Sequence, residues 1–257
     1  MILDTQNVSE WGGDLCLPRF QGRWLHIRIS YRKEVVTVVK VRETIPRKII
    51  EKIPDDVLQA DLKKYRERAL ELGATDAKII TTNMILIDER VLGKCINPPC
   101  TNYGNNINCP PYAMAPDLMR KIVNNFSYAI FTMMKVPSEQ VAGPEAKEKK
   151  LNAISQKKNH DMVSEIESEA FFDGYHLAMA FADGPCKNVF CANTDCSAIV
   201  PGQGCRFALR ARASMEAVGM NAFKMAAMAG WDIYPITSSI SPSAVPHATK
   251  LGIVLIY

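Results

Sequence analysis

The chain has 257 residues, a formal charge of +4, 47% hydrophobic residues and 23% charged residues. That balance excludes disordered and fibrous chains, and so small a positive excess does not mark a nucleic-acid binder. No apolar run reaches the roughly 20 residues of a membrane helix, and Met1–Glu10 lacks the apolar stretch of a secretory signal, so a cytoplasmic protein with no membrane partner is expected.

Residues 22–43 carry β-branched residues in partial alternation and predict two strands joined near Arg32–Lys33–Glu34. A connector with Pro46 and Pro54 follows. The segment 1–54 is therefore expected as an N-terminal β segment, and 55–257 as an α/β cysteine-rich metal-binding domain. Asp55–Leu72 has Leu58, Leu62, Tyr65, Ala69 and Leu72 at helical spacing, with Asp55 or Asp56 as cap and Gly73 as stop. Ala77–Thr82 and Met84–Ile87 look extended. Pro116–Phe126 predicts a short helix and Ser127–Val136 a buried strand.

Gly143–Gly174 is built of helix formers, with Pro144 at a first helical position and Ile166, Ala170 and Phe171 on the buried side. His176–Ala182 predicts a strand. Arg206–Gly219 and Asn221–Gly230 suggest two short helices, and Ile233–Ile236 and Gly252–Tyr257 final strands. Alternation of strands and helices points to an α/β fold, with a mixed or largely parallel sheet flanked by helices, an N-terminal β-hairpin and two cysteine-rich cluster-binding loops.

Eight cysteines carry the functional signal, and seven fall in two groups. The first is Cys95-x4-Cys100-x8-Cys109. The second is Cys186-x4-Cys191-x4-Cys196-x8-Cys205. Cys191, Cys196 and Cys205 repeat the spacing of the first group 96 residues later. In a reducing compartment, clustered thiols indicate metal ligands or redox groups before disulfides. Glycines and prolines, among them Pro98, Pro99, Gly104, Gly184, Pro185 and Gly202, let the chain turn back on itself. The spacings lack the paired short steps of structural zinc sites. An all-cysteine set with looser spacing suits a 4Fe-4S cluster. Zinc and plain thiol chemistry stay open as alternatives. Cys16 is either an extra ligand or a small buried hydrophobe.

At CINPPCTNYGNNINCPPY (95–112), ADGPC (182–186) and RASMEAVGM with the helix ending AAMAG (212–230), the chain resembles a prokaryotic family of predicted metal-binding proteins of unknown function, over about Leu58 to Trp231. The resemblance implies metal binding through these cysteines and implies no reaction. The family's second group is usually tighter, with two residues between cysteines, and Ala213 and Val218 stand where proline and cysteine are common.

His26, His160, His176 and His247 are scattered, and no nucleotide-binding glycine motif is present. Arg206, Arg210 and Arg212 are spaced to bind an anion or to form a solvated face. Tyr112 and Glu216 are the candidate proton donors, and Met215, Met220, Met225 and Met228 are expected core filler. The expected function is an iron–sulfur protein with one or two 4Fe-4S clusters, transferring electrons to a redox partner protein or larger oxidoreductase in anaerobic metabolism. An enzyme with an open three-cysteine iron and a zinc-stabilised interaction module are the alternatives. Oligomerisation is compatible with each.

Overall fold

The computed structural model describes residues 45–257 and, ahead of them, the backbone of four short strands. The chain divides into two units, Met1–Lys48 and Ile49–Tyr257. In the first, β1 (Leu15–Cys16) pairs antiparallel with β2 (His26–Ile27), and β3 (Ile29–Arg32) with β4 (Val35–Val38). The last pair matches Arg32 to Val35, where the sequence places the turn.

The second unit opens with α1 (Asp55–Glu71), whose apolar spacing buries Leu58, Leu62, Tyr65 and Ala69. Asp55 and Asp56 lie in its first turn and favour the helix dipole, but Pro54 precedes the helix and no side chain caps it. Gly73 ends it with φ +105°. Next come β5 (Asp76–Thr81), α2 (Glu89–Ile96), α3 (Pro116–Val123) and β6 (Tyr128–Val136). The long helical stretch of the sequence is broken into α4 (Gly143–Glu148) and α5 (Asn152–Phe172) by Lys150, whose φ is +52°. β7 (Met179–Phe181), α6 (Cys186–Phe190), α7 (Ala222–Met228) and β8 (Ala248–Leu255) complete the unit. Arg206–Ser214 is not helical and Ile233–Ile236 is not a strand. Phe171 is exposed, whereas Ile166 and Ala170 are buried.

The four-stranded sheet runs β5-β6-β8-β7, and every neighbouring pair is antiparallel. The expected mixed or largely parallel sheet is therefore wrong. The reason is the connection after β5. Thr81 at its end pairs with Tyr128 at the start of β6, so 46 intervening residues with two helices act as an oversized hairpin. Alternation of element types does not reveal whether a connection crosses the sheet or returns on the same side.

Both faces of the sheet are covered. Ile130, Met134, Val136 and Val254 pack with α1 and α5, while Phe131, Met133, Leu251 and Ile253 pack with Met119 of α3, Met215, Met220, Met225 and Trp231. Burial on both faces explains the unbroken apolar runs of β6 and β8. α5 approaches β8 so closely that a Cβ on Gly252 would lie 2.6 Å from Val163 Cγ1. Gly252→Ala is expected to lower stability by about 1–3 kcal/mol, the usual cost of overpacking, measured by denaturant unfolding.

Toward its N-terminal half, α5 turns a polar stripe inward: Ser155, Gln156, Asn159 and His160 are buried. His160 is enclosed, and burial depresses its pKa from the usual 6.5 to about 4. Its neutral form is thus the folded one. Stability is full above pH 6.5 and is lost as pH falls toward 4, at about 1.4 kcal/mol per unit. Denaturation midpoints at pH 7 and pH 5 should show this loss, and the His160→Gln variant should show less of it.

Candidate metal centre

The first cysteine stretch is a series of turns. Asp88 starts α2, its carboxylate accepting from the Arg90 amide at 3.0 Å, and the Arg90 side chain holds that carboxyl well below the usual carboxylate range. Cys95 lies in the last turn of α2. The Cys100 amide then donates to Cys95 O at 3.0 Å, the Gly104 amide to Pro110 O at 2.8 Å, and the Cys109 amide to Asn106 O at 3.2 Å. Cys95 is half-buried, Cys100 exposed and Cys109 buried.

The second stretch leaves the sheet early because β7 has only three residues. Asp183 and Gly184 follow, and Cys186 opens α6, a helix the sequence reading missed. The Cys191 amide donates to Lys187 O at 3.0 Å and the Thr194 amide to Cys191 O at 3.1 Å. Ser197 Oγ donates to Gly204 O at 2.8 Å, closing the loop between Cys196 and Cys205. Cys186 and Cys196 are buried, and Cys191 and Cys205 half-buried. Phe190 of α6 stacks on Phe207 with centroids 5.3 Å apart, and the Arg210 guanidinium lies 5.1 Å from its ring.

One short segment ties the two stretches together. The Ala182 amide donates to Ala213 O and the Met215 amide to Ala182 O, both at 3.0 Å. Further along, the Asp88 amide donates to Gly219 O at 2.8 Å and the Asn221 amide to Leu86 O at 2.8 Å. Residues 213–221 therefore bridge the root of the second stretch to the root of α2. Gly219 has φ +83°, and a Cβ there would sit 3.1 Å from Pro116 Cγ, so glycine is favoured twice over.

Across this bridge the stretches touch. Asn108 Nδ2 donates to Cys186 Sγ at 3.4 Å, and Cys186 Sγ donates to Asn106 Oδ1 at 3.8 Å. Asn106 is fully buried and its Nδ2 has no partner. Burial pushes the Cys109 thiol up to about 11 and the Cys186 thiol up to about 12, against the opposing hydrogen bonds of Asn106 and Asn108. Cys95 and Cys191 are also raised, mainly by burial, and Arg206 opposes the rise at Cys191.

Behind the cysteines lies a charged cluster that sequence reasoning missed. Lys250 on β8 is only 4% exposed. It pairs with Asp183 Oδ2 at 2.9 Å and donates to Asn152 Oδ1. The other oxygen, Asp183 Oδ1, is buried without a partner. Glu216 joins this cluster. Burial raises its pKa, Asp183 raises it further, and Ser214 and Lys250 pull the other way. Glu216 is also within electrostatic reach of Cys95, whose pKa it raises after burial and Cys100. One signal was available: a lone lysine, Lys250, directly before the apolar C-terminal run 251–257.

The remaining candidates scatter. Tyr112 is exposed. Arg206 donates to Thr194 Oγ1, Arg210 to Asp161 and Arg212 to Glu167, so the three arginines do not share one anion site. Met215, Met220 and Met225 are core residues, and Met228 is exposed. The side chains of Cys16 and His26 lie outside the described residues. Among the described residues, no three His, Cys, Asp or Glu side chains are grouped closely enough to hold a metal ion, so the expected cluster-binding loops are not preformed cradles. The donor set still suits a soft metal: seven free thiols, three of them buried, with the unpartnered Asn106 amide among them.

In the metal-free chain, thiols with raised pKa carry little thiolate near neutrality. Iodoacetamide at pH 8 should modify exposed Cys100 first and Cys109 and Cys186 last, at least about tenfold slower, as read by peptide mass spectrometry.

No curated protein and no solved structure matches the chain. A family model described as predicted metal-binding protein (DUF2284) matches residues 78–256, which take in α2, both cysteine stretches, the bridging segment and β8. The chain belongs to this family of predicted metal-binding proteins.

Proposed function

We propose that this chain is an iron–sulfur protein that holds one or two 4Fe-4S clusters through Cys95, Cys100, Cys109, Cys186, Cys191, Cys196 and Cys205, and that it exchanges electrons with a partner oxidoreductase in anaerobic metabolism. The observation that carries this reading is the meeting of two all-cysteine stretches across the Asn108–Cys186 hydrogen bond, with all seven thiols free. Bound there, a 4Fe-4S cluster would supply one-electron exchange.

The residues around the thiols fit that task. Amide donors at sulfur, such as Asn108, tune reduction potential. Arg206 places a cation beside Cys191, where thiolate charge would accumulate. The same stretches carry exposed apolar side chains, Ile96, Tyr112 and Val200, with Leu209 just beyond the second, which suit a transient protein partner. Among the described residues no helix is long and apolar enough to cross a membrane.

The test is anaerobic purification with iron, sulfide and zinc analysis and a visible spectrum. A brown protein with broad absorbance at roughly 400 nm and about four or about eight irons per chain is the expected result. A colourless protein with stoichiometric zinc overturns the reading in favour of a structural zinc site.

A further inference from the structure

We infer that Lys250 is a positioning residue for the second cysteine stretch: its ion pair with Asp183 fixes the step by which the chain leaves the sheet, and so holds Cys186 against Asn106 and Asn108 of the first stretch. This rests on the metal-binding reading above, in which Cys186 is a ligand, and deepens it by naming what places that ligand.

The backbone does not hold this step by itself. The last rung between β7 and β8 pairs Phe181 with Ile253. Ala182 then turns to the neighbouring segment, donating to Ala213 O and accepting from the Met215 amide. Beyond it, among the described residues, the amides of Asp183 and Gly184 donate to no backbone carbonyl. Pro185 has no amide hydrogen to donate. Side chains therefore carry the chain from Ala182 to α6. Asp183 is tied to Lys250. Gly184 lies so close to α5 that a Cβ there would meet Gln156 Nε2 at 2.0 Å. Cys186 Sγ accepts from Asn108 Nδ2 and donates to Asn106 Oδ1.

Lys250 brings a buried charge to that step. It is 4% exposed and stands directly before the buried run 251–256. Its ammonium meets Asp183 Oδ2 at 2.9 Å and also donates to Asn152 Oδ1, at the first residue of α5. One cation thus joins β8, α5 and the root of the second stretch. A buried ion pair often adds no stability over apolar side chains of the same volume, because desolvation cancels the attraction. Asp183 Oδ1 has no partner, which weakens the case for stability further. What the pair supplies is direction. Two charges at contact have one favourable arrangement, and fixing register is the best-attested use of buried polar groups. Asp183 stands three residues before Cys186, so a root that slips carries the Cys186 sulfur away from Asn106 and Asn108. Asn106 also bonds the Cys109 thiol, so both stretches feel the slip.

The experiment uses the reduced, metal-free full-length chain and two variants. Lys250→Met keeps the length of the side chain and loses its charge. Lys250→Met/Asp183→Asn also removes the carboxylate that would otherwise stay buried and unpaired. Unfolding midpoints are measured in denaturant, and the N-ethylmaleimide labelling rate of each cysteine by mass spectrometry. Lys250→Met should be strongly destabilised. The double variant should recover the wild-type midpoint, yet Cys186 should label at least about tenfold faster than in the wild type, with Cys109 also faster and Cys95 and Cys100 unchanged. After anaerobic loading with iron and sulfide, the double variant should hold less metal per chain than the wild type. Wild-type labelling of Cys186 in the double variant overturns the inference. Equal acceleration at all the cysteines of the two stretches overturns it too, because general loosening would then be the cause. Where the double variant does not fold, Asp183→Asn is read by the same rates. A wild-type chain that takes up neither iron nor zinc overturns the metal-binding reading, and the labelling rates still decide what places Cys186.

Discussion

Four backbone hydrogen bonds on residues 213–221 decide where the cysteines go. Two hold this segment to Ala182, where the chain leaves the sheet edge, and two hold it to Leu86 and Asp88, where α2 begins. Each buried peptide group must find a partner or pay about 1–3 kcal/mol. The segment therefore cannot slide without losing its partners at both ends. Gly219 makes the register stricter, because its positive φ and its tight approach to Pro116 strain any side chain there. The two cysteine stretches, far apart in sequence, are thereby fixed at their roots, with Cys95 in the last turn of α2 and Cys186 at the start of α6.

The Lys250–Asp183 pair lies at one of these roots. Taking two charges out of water costs several kcal/mol each, and the pair recovers that only with good geometry and further hydrogen bonds. Here Lys250 has two partners, but Asp183 keeps one oxygen unpaired and Glu216 adds a second acid. With one cation facing two carboxyls, burial favours keeping a proton on one of them. An arrangement this poor for stability sits directly before Gly184–Pro185–Cys186, and Glu216 reaches the electrostatic field of Cys95. The cluster thus joins the root of the second stretch, at Asp183, to the segment 213–221, at Glu216.

Periodicity made α1 legible because one face repeats Leu58, Leu62, Tyr65 and Ala69, and β6 was legible because it is apolar on both faces. The hairpin of the first unit followed from β-branched alternation. Direction in the sheet was not legible, since strand and helix alternation is the same for a crossover and for a long return loop. The buried polar stripe of α5 was not legible for a different reason: Asn159 and His160 are buried, and hydropathy cannot separate a solvated polar face from a buried polar network. The cysteines themselves stood out by number and spacing. Asn106 and Asn108 did not, because asparagines in a glycine- and proline-rich loop look like turn formers until a sulfur is found beside them.

Ligand spacing is informative only if the chain between ligands is free to curl around the metal. Between Cys95 and Cys109 that condition holds, since the turns at Cys100, Gly104 and Asn106 fold the stretch back repeatedly. Between Cys191 and Cys205 it holds again, through the turns at Thr194 and Ile199 and the Ser197–Gly204 hydrogen bond. Between Cys186 and Cys191 it fails, because five residues spent on a helix carry direction as well as length. Two x4 steps that look identical in sequence are thus unequal in space. The step from Cys191 to Cys196 is a turn that can gather its ends, and the step from Cys186 to Cys191 is a spacer that keeps them apart.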